Sequence, residues 1–384
     1  MFTLNREKNM KIAIGIPGDL KNTSLTGSGF LPFIENVKSA LSQHETVICS
    51  PRGGNINLKS QFLESNDFMS QYNNTLALAK EFAQKVKELN PDIVIAFTNM
   101  GLFLNKKHIY FTTSLPYKHA LKLIEGEYPE NIQFKELTKY YQFIAEQEYQ
   151  SYEKAELILT TSIKVKEAII EEYNINPDKI IYIPLPIYTL IDIGNKNKSH
   201  KSNMKLILMP AELRVRKGLR YAIETMKILK EKIPNAVLII CGKINEYENE
   251  YIQELLQKAK GKANMIVAGF LPRKQYYQYM KSVECAFLPV LCEGQCEALA
   301  ECIASGLPVV TNKYTQYNKD IINTIGYCAS YKDIKDYANG LIKLLTDSDY
   351  NKEKREGTKI IANKYSFENF KRLLNNAIEE FRKT

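Results

Sequence analysis

Two carboxylates and a small group of cations hold the chemistry of this chain. Glu293 and Glu301 stand eight residues apart in Glu293-Gly-Gln-Cys-Glu-Ala-Leu-Ala-Glu301, with Glu297 between them. Upstream, Ala211-Glu-Leu-Arg-Val-Arg-Lys217-Gly218 brings Arg214, Arg216 and Lys217 into one loop. Cations gathered at the end of a strand suit a phosphate, arginine through its planar fork and lysine as a point charge. Acids beside such a site make sense as acceptors for hydroxyls, those of a sugar or a ribose, because an ionised carboxylate has nothing to donate.

The elements around them can position these groups. Glu284-Cys-Ala-Phe-Leu-Pro-Val-Leu291 reads as a short buried strand. Ala298, Leu299, Cys302 and Ile303 then recur at helical spacing, Gly306 suits a helix C-cap, and Leu307-Pro-Val-Val-Thr311 restarts a strand. Glu293 is therefore expected in a loop at the carboxyl end of a strand, with Glu301 in the first turns of the next helix. That crevice is where open α/β sheets bind ligands, and the helix N-terminus offers N–H groups to an anion.

Similar units run through the chain. Strands are expected at 11–17, 46–49, 92–97, 108–112, 157–161 and 179–184, with helices at 32–43, 76–89, 134–154 and 164–173. Gly194-Asn-Lys-Asn-Lys-Ser-His-Lys-Ser-Asn203 has no apolar periodicity and reads as a linker. Beyond it the pattern restarts, with strands at 205–209, 236–240 and 265–267 and helices at 220–232, 248–261 and 274–282. Alternation at these lengths implies parallel, doubly wound sheets. Residues 366–381 form an amphipathic helix with Phe367, Phe370, Leu374, Ile378 and Phe381 on one stripe. Glu146 and Glu148 in the long 134–154 helix read as solvated.

Composition sets the frame. The chain has 384 residues, enough for about two domains. With 45% hydrophobic and 25% charged residues, it has the make-up of a globular protein. No apolar run is long enough to span a membrane, and the polar N-terminus does not read as a secretory signal. Seven cysteines without metal-ligand spacing are expected as buried thiols, so no metal site is expected. The net charge of +9 is uneven: residues 1–192 hold 20 Lys+Arg against 22 Asp+Glu, and residues 193–384 hold 32 against 21. A basic second half fits an anionic ligand. No helix-turn-helix, zinc-finger or RNP-type motif accompanies it, which argues against a nucleic-acid partner.

The stretch Pro289-Val-Leu-Cys-Glu293-Gly-Gln-Cys-Glu-Ala-Leu-Ala-Glu301-Cys-Ile-Ala-Ser-Gly306-Leu-Pro308-Val-Val310 resembles the Glu-x7-Glu motif of the retaining GT-B glycosyltransferases of the group 1 (GT4) family. That motif reads approximately Pro-Ser-x-x-Glu-Gly-Phe-Gly-x-x-x-x-Glu-Ala-x-Ala-x-Gly-x-Pro-Val-Val. Gln295 and Cys296 replace the family's Phe-Gly, and Glu297 adds a carboxylate beside the expected diphosphate. Lys217-Gly218 resembles the end of the family's Gly-Arg-Leu-x-x-x-Lys-Gly loop, but Glu212 stands where the family has arginine. Either Arg214 or Arg216 is then the replacement cation. Gly27-Ser-Gly29 is similar to the family's Gly-rich loop near the diphosphate. Gly242 and Gly269 match strand-end glycines near the nucleotide. Thr113 and Ser114 occupy the region where many relatives carry a histidine, and His119 is the nearest imidazole, carried as the catalytic candidate.

The resemblance implies a GT-B fold of two Rossmann-like domains: an acceptor domain (1–193), a nucleotide-sugar domain (204–365) and a C-terminal helix (366–384) returning to the first. It implies transfer of a sugar, with retention, from a nucleotide-diphosphate donor to a glycan, lipid-linked or protein acceptor. Glu293 would hold sugar hydroxyls and Glu301 the ribose. Lys217, an arginine and the amides of Glu297, Ala298 and Leu299 would hold the leaving diphosphate. No cofactor or metal is implied. The expected setting is cytoplasmic, at the inner face of a membrane by peripheral contact, in bacterial surface polysaccharide or lipopolysaccharide synthesis. A GT-B epimerase or phosphorylase, and a sugar-nucleotide-binding protein without turnover, remain open.

Overall fold

The computed structural model describes residues 9–17, 20, 27–58, 68–128, 132–187, 203–245 and 248–383. Residues 194–202 of the expected linker lie outside them. Among the described residues, the first sheet contains β1 (Lys11–Gly15), β2 (Glu45–Ser50), β3 (Ile56–Asn57), β4 (Ile93–Phe97), β5 (Ile109–Thr112), β6 (Leu157–Thr160) and β7 (Ile180–Tyr182). Their order is β3-β2-β1-β4-β5-β6-β7, and every pairing is parallel. β4, β5 and β6 are buried at every position. Continuous apolar runs, rather than alternation, are what a parallel sheet covered on both faces requires. The covering helices are α1 (Gly27–Ala40), α2 (Phe68–Leu89), α3 (Tyr117–Ile124), α4 (Ile132–Lys154) and α5 (Ile163–Tyr173).

The second sheet contains β8 (Lys205–Pro210), β9 (Ala236–Cys241), β10 (Met265–Gly269), β11 (Cys285–Phe287), β12 (Val309–Asn312) and β13 (Gly326–Ala329), in the order β10-β9-β8-β11-β12-β13 and again parallel. Around it lie α6 (Leu219–Lys232), α7 (Asn249–Ala259), α8 (Arg273–Ser282), α9 (Glu297–Ala304), α10 (Lys319–Ile325), α11 (Ile334–Thr346) and α12 (Ser348–Lys364). The sequence reading assigned nothing between Thr311 and Ser366. The structure places α10, β13, α11 and α12 there, and the helices start on side-chain caps from Asn318, Asp333 and Asp347. Each cap satisfies an N–H that the first helical turn leaves without a partner.

Finally, α13 (Phe367–Lys383) packs against α1 rather than on the second sheet. Its buried Phe370, Leu374, Ala377, Ile378 and Phe381 share one core with Ile12, Ile14, Phe97 and Phe111. Asn375 Nδ2 donates to the Ala40 carbonyl at 3.1 Å. Amphipathicity read from sequence shows that a helix needs a partner face; only packing identifies which.

The two sheets meet through side chains that bridge between them. Glu127 at the end of α3 is buried and accepts from the Tyr221 hydroxyl at 2.8 Å, with Lys332 at 2.7 Å and Arg220 at 3.2 Å. Tyr331 donates to the Leu123 carbonyl at 3.1 Å. Gly294 sits so close to the loop after β5 that a Cβ there would lie 2.3 Å from the Thr113 carbonyl. These contacts set the loops at the carboxyl ends of the two sheets face to face.

Candidate functional site

After β8 the chain turns sharply. Val215–Lys217 form a single 3-10 turn that ends at Gly218, with φ of 76°. A Cβ on Gly218 would stand 1.8 Å from the Pro289 carbonyl oxygen, so only glycine permits this approach. The Leu291 amide donates to the Arg216 carbonyl at 2.8 Å, which ties the cationic turn to the loop after β11. Side chains complete the join, because Arg216 and Lys217 both form ion pairs with Glu293 Oε1. Glu293 is 6% exposed at its side chain, whereas Arg216 keeps 31% and Lys217 15%. The cations are therefore reachable from the crevice while their counter-ion is covered. Burial pushes the Glu293 carboxyl up, but the two cations outweigh it and hold the group below its ordinary value.

Arg214 has another role. Its Nε donates to Glu212 at 2.8 Å, and Asn245 donates to the other Glu212 oxygen at 3.3 Å. Glu212, at the position where the resembled motif has arginine, thus engages Arg214, and Arg216 is the arginine that joins Lys217. Burial raises the Glu212 carboxyl, and Arg214 outweighs it, for a net lowering.

α9 begins at Glu297 with Cys296 as its cap, and the Cys296 side chain makes no cap bond of its own. Gln316 clamps the entry from both sides: its Oε1 accepts the Cys296 amide and its Nε2 donates to the Cys296 carbonyl, each at 3.0 Å. The amide of Leu299 is spent on the Cys296 carbonyl at 3.1 Å. This corrects the expectation of three anion-facing amides. Glu297 and Ala298 remain, since no intrahelical carbonyl can take theirs. Burial, then the charges of Glu301 and Glu293, push the Glu297 carboxyl up to about 7. Glu301 accepts the Tyr276 hydroxyl at 2.8 Å and has Arg273 at 3.5 Å. Burial raises its pKa against those two partners.

The glycines are less uniform than their pattern suggests. Gly27 and Gly29 lie within the first turn of α1, not in a loop before it, because the helix starts five residues earlier than Pro32. Gly242 packs on backbone, where a Cβ would sit 1.9 Å from the Ala211 carbonyl, and it donates to the Gly269 carbonyl at 2.9 Å. Gly269 has open space around it and φ of 69°, next to Phe270, which is 78% exposed. For Gly242 crowding requires glycine; for Gly269 the backbone angle does.

His119 is not brought to this cluster. Its Nδ1 lies 3.0 Å from Glu172, which Lys122 also holds at 2.7 Å. His119, Glu171 and Glu172 have the spacing of a metal site among the described residues, but Lys118 and Lys122 already neutralise Glu172. The sole Asp-x-Asp spacing in the chain, Asp347-Ser-Asp349, caps α12 through Asp347. Glu148 is buried, not solvated: it accepts from the Tyr117 amide at 2.9 Å, Tyr152 at 3.0 Å and Tyr173 at 3.1 Å, and burial raises it to about 7. The sequence reading also missed Gln316, Tyr276 and Arg273. No motif contains them, and they reach the site only through tertiary packing.

Residues 192–364 match the family model of glycosyl transferases group 1. An uncharacterized glycosyltransferase of Methanocaldococcus jannaschii is 27% identical over 167 residues, which are 42% of this chain. The chain spans 40% of the length of that relative. Among solved structures, a glycosyltransferase involved in lipopolysaccharide biosynthesis, WaaG, superposes with a TM-score of 0.69 at 17% identity, covering 96% of this chain and 98% of that one. Anabaena HepE, solved with UDP and glucose, gives 0.68 at 14% identity, covering 97% and 100%. At these identities the likeness establishes the architecture, which is GT-B.

Proposed function

We propose that this chain, whose residues 192–364 match glycosyl transferases group 1, is a retaining GT4-type glycosyltransferase acting on a nucleotide-diphosphate sugar. The observation that carries this reading is the convergence of Arg216 and Lys217 on Glu293, beside the start of α9 and across from the first sheet. In this reading the bond between the sugar's anomeric carbon and the diphosphate oxygen breaks, an acceptor hydroxyl oxygen bonds to that carbon on the same face, and the hydroxyl's proton passes to the leaving diphosphate oxygen. Negative charge then grows on the leaving diphosphate. Arg216, Lys217 and the amides of Glu297 and Ala298 meet it, and preorganised charge of this kind is the largest single contribution in most such sites. Glu293 and the diphosphate share the same cations, so donor binding loosens the ion pairs and frees Glu293 Oε1 for sugar hydroxyls. Glu301, held by Tyr276 and Arg273, takes the ribose. His119 has no part in this assignment.

The acceptor is a glycan, a lipid-linked saccharide or a protein, bound by the first domain. We place the chain at the inner face of a membrane, in surface polysaccharide or lipopolysaccharide assembly; the likeness to WaaG supports the second of these. Among the described residues no helix is long and apolar enough to cross a membrane.

The test is a panel of UDP-, GDP-, ADP- and CMP-sugars, read by thermal shift and by release of the free nucleotide, for wild type and Glu301→Ala. One nucleotide should stabilise wild type and be slowly hydrolysed, and Glu301→Ala should lose at least ~1 kcal/mol of that stabilisation, the scale of a hydrogen bond to a charged group. Stabilisation without turnover, even with acceptor extracts, favours the alternative of a binding protein. The observation behind that alternative is Glu212, which stands where the resembled motif has arginine and engages Arg214.

Glu297 supplies a pH dependence. Its carboxyl stands near 7, so it is neutral below that value and ionises above it. The diphosphate of a nucleotide sugar has no group titrating in this range. Donor affinity in wild type should therefore fall roughly fivefold from pH 6 to pH 8, the size of about 1 kcal/mol of like-charge repulsion at water-like screening. Glu297→Gln should bind equally at both pH values, and a parallel fall in the variant would remove Glu297 as the cause.

A further inference from the structure

The cationic turn is capped by a side chain distant in sequence. Arg214 stands at its cap position, and no side chain of that residue bonds the turn. Instead Glu248 Oε2 accepts the amide of Val215, the first residue of the turn. The other oxygen, Glu248 Oε1, accepts the hydroxyl of Tyr128 at 2.9 Å. Tyr128 belongs to the first domain, just beyond α3 and next to Glu127, whereas Glu248 belongs to the second, just before α7. One carboxylate therefore spans a hydroxyl from one domain and a backbone amide from the turn that presents Arg216 and Lys217.

Both oxygens of Glu248 are used, and each bond is charge-assisted, so the carboxylate has one geometry that satisfies both partners. If Tyr128 withdraws, the carboxylate is free to rotate towards water and its hold on Val215 loosens. Val215 is 6% exposed, which leaves its amide poorly placed to find water instead. The Glu127 contacts a residue away dock the same segment, but they act on Tyr221, Arg220 and Lys332, outside the turn.

We propose that Tyr128 and Glu248 are positioning residues that couple docking of the two domains to the geometry of the Val215–Lys217 turn. The turn is then ordered when the acceptor domain is in place and loose when it is not. The consequence for donor chemistry rests on the reading under Proposed function; the coupling itself does not.

Amide exchange in the full chain, with no nucleotide present, tests the coupling directly. Tyr128→Phe removes only the hydroxyl, and Val215 should exchange roughly fivefold faster, the scale of one net hydrogen bond. Glu248→Ala should exceed that. Glu248→Gln should return towards wild type, because its carbonyl accepts Val215 N–H while its amide donates to the Tyr128 oxygen. Glu127→Gln serves as the comparison that weakens docking without touching Glu248. The proposal is overturned if Tyr128→Phe exchanges like wild type, or if Glu127→Gln accelerates Val215 as much as Tyr128→Phe does. On the donor found by the panel, Tyr128→Phe should lower kcat more than it raises KM, since binding can re-form a turn that turnover needs preformed. Should no nucleotide bind wild type, the donor-site reading fails while the exchange result stands.

Discussion

Replacing Lys217 by alanine is expected to lower donor turnover by roughly 10²–10³-fold in kcat/KM, the effect of removing one preorganised donor from a site where charge develops. Lys217 is the less exposed of the two cations and sits on the Glu293 oxygen that Arg216 also holds. Its loss acts twice. The leaving diphosphate loses a point charge, and the carboxyls of Glu293 and Glu297, both lowered by Lys217, move upward. The protein should still fold, because Arg216 keeps Glu293 paired and a buried carboxylate with no partner does not result. A melting curve near wild type together with a hundredfold slower nucleotide release is the expected pair of results. Loss under tenfold would mean that Lys217 does not face the diphosphate. Lys217→Arg should recover part of the binding and little of the rate, since a guanidinium cannot place a compact charge at the same point.

The second large effect is on stability. Gly218→Ala should cost about 2–4 kcal/mol, combining a non-glycine residue in the left-handed region with overpacking against backbone. The clash is with the Pro289 carbonyl, where a Cβ would stand 1.8 Å away, and neither side is a flexible side-chain tip. The midpoint of thermal unfolding should fall by roughly 5–10 °C. Gly261→Ala separates the two causes. Gly261 has nearly the same φ, 74°, but nothing within 4 Å of its Cβ position. It should lose only about 1 kcal/mol, the backbone part. If both variants melt alike, crowding at Pro289 does not restrain the turn. A Gly218→Ala protein that does fold should also lose the nucleotide-dependent shift, because any movement that relieves the clash displaces Arg216 and Lys217.

Much of the architecture was legible because parallel sheets write themselves plainly. Strands such as β4 and β6 are apolar at nearly every position, since both faces are covered, and the helices between them carry one apolar stripe. The segment from Thr311 to Ser366 was not read, although Asn318, Asp333 and Asp347 marked its helix starts. The Glu293–Glu301 unit was legible for a local reason. A strand, a loop and a helix within about twenty residues fix where both acids stand, whatever surrounds them.

Partner choice could not be read from spacing. Arg214 and Arg216 differ by two positions and look equivalent in sequence, yet Glu212 and Asn245 engage one while Glu293 engages the other. Glu148 shows the same limit, since a carboxylate on a polar-looking helix became a buried acceptor for two tyrosines and an amide. Gly242 and Gly269 are also alike as letters, and only the neighbouring backbone separates crowding from conformation. The sequence by itself determined two α/β units, the loops that carry the cations and the acids, and the charge available there, because these follow from short-range periodicity and spacing. The tertiary structure decided which cation meets which acid, which carboxyls are held up or down in pKa, and that Tyr128 reaches Glu248, because Coulomb attraction and burial depend on distances in space, between groups 77 residues apart for Arg216 and Glu293 and 120 apart for Tyr128 and Glu248.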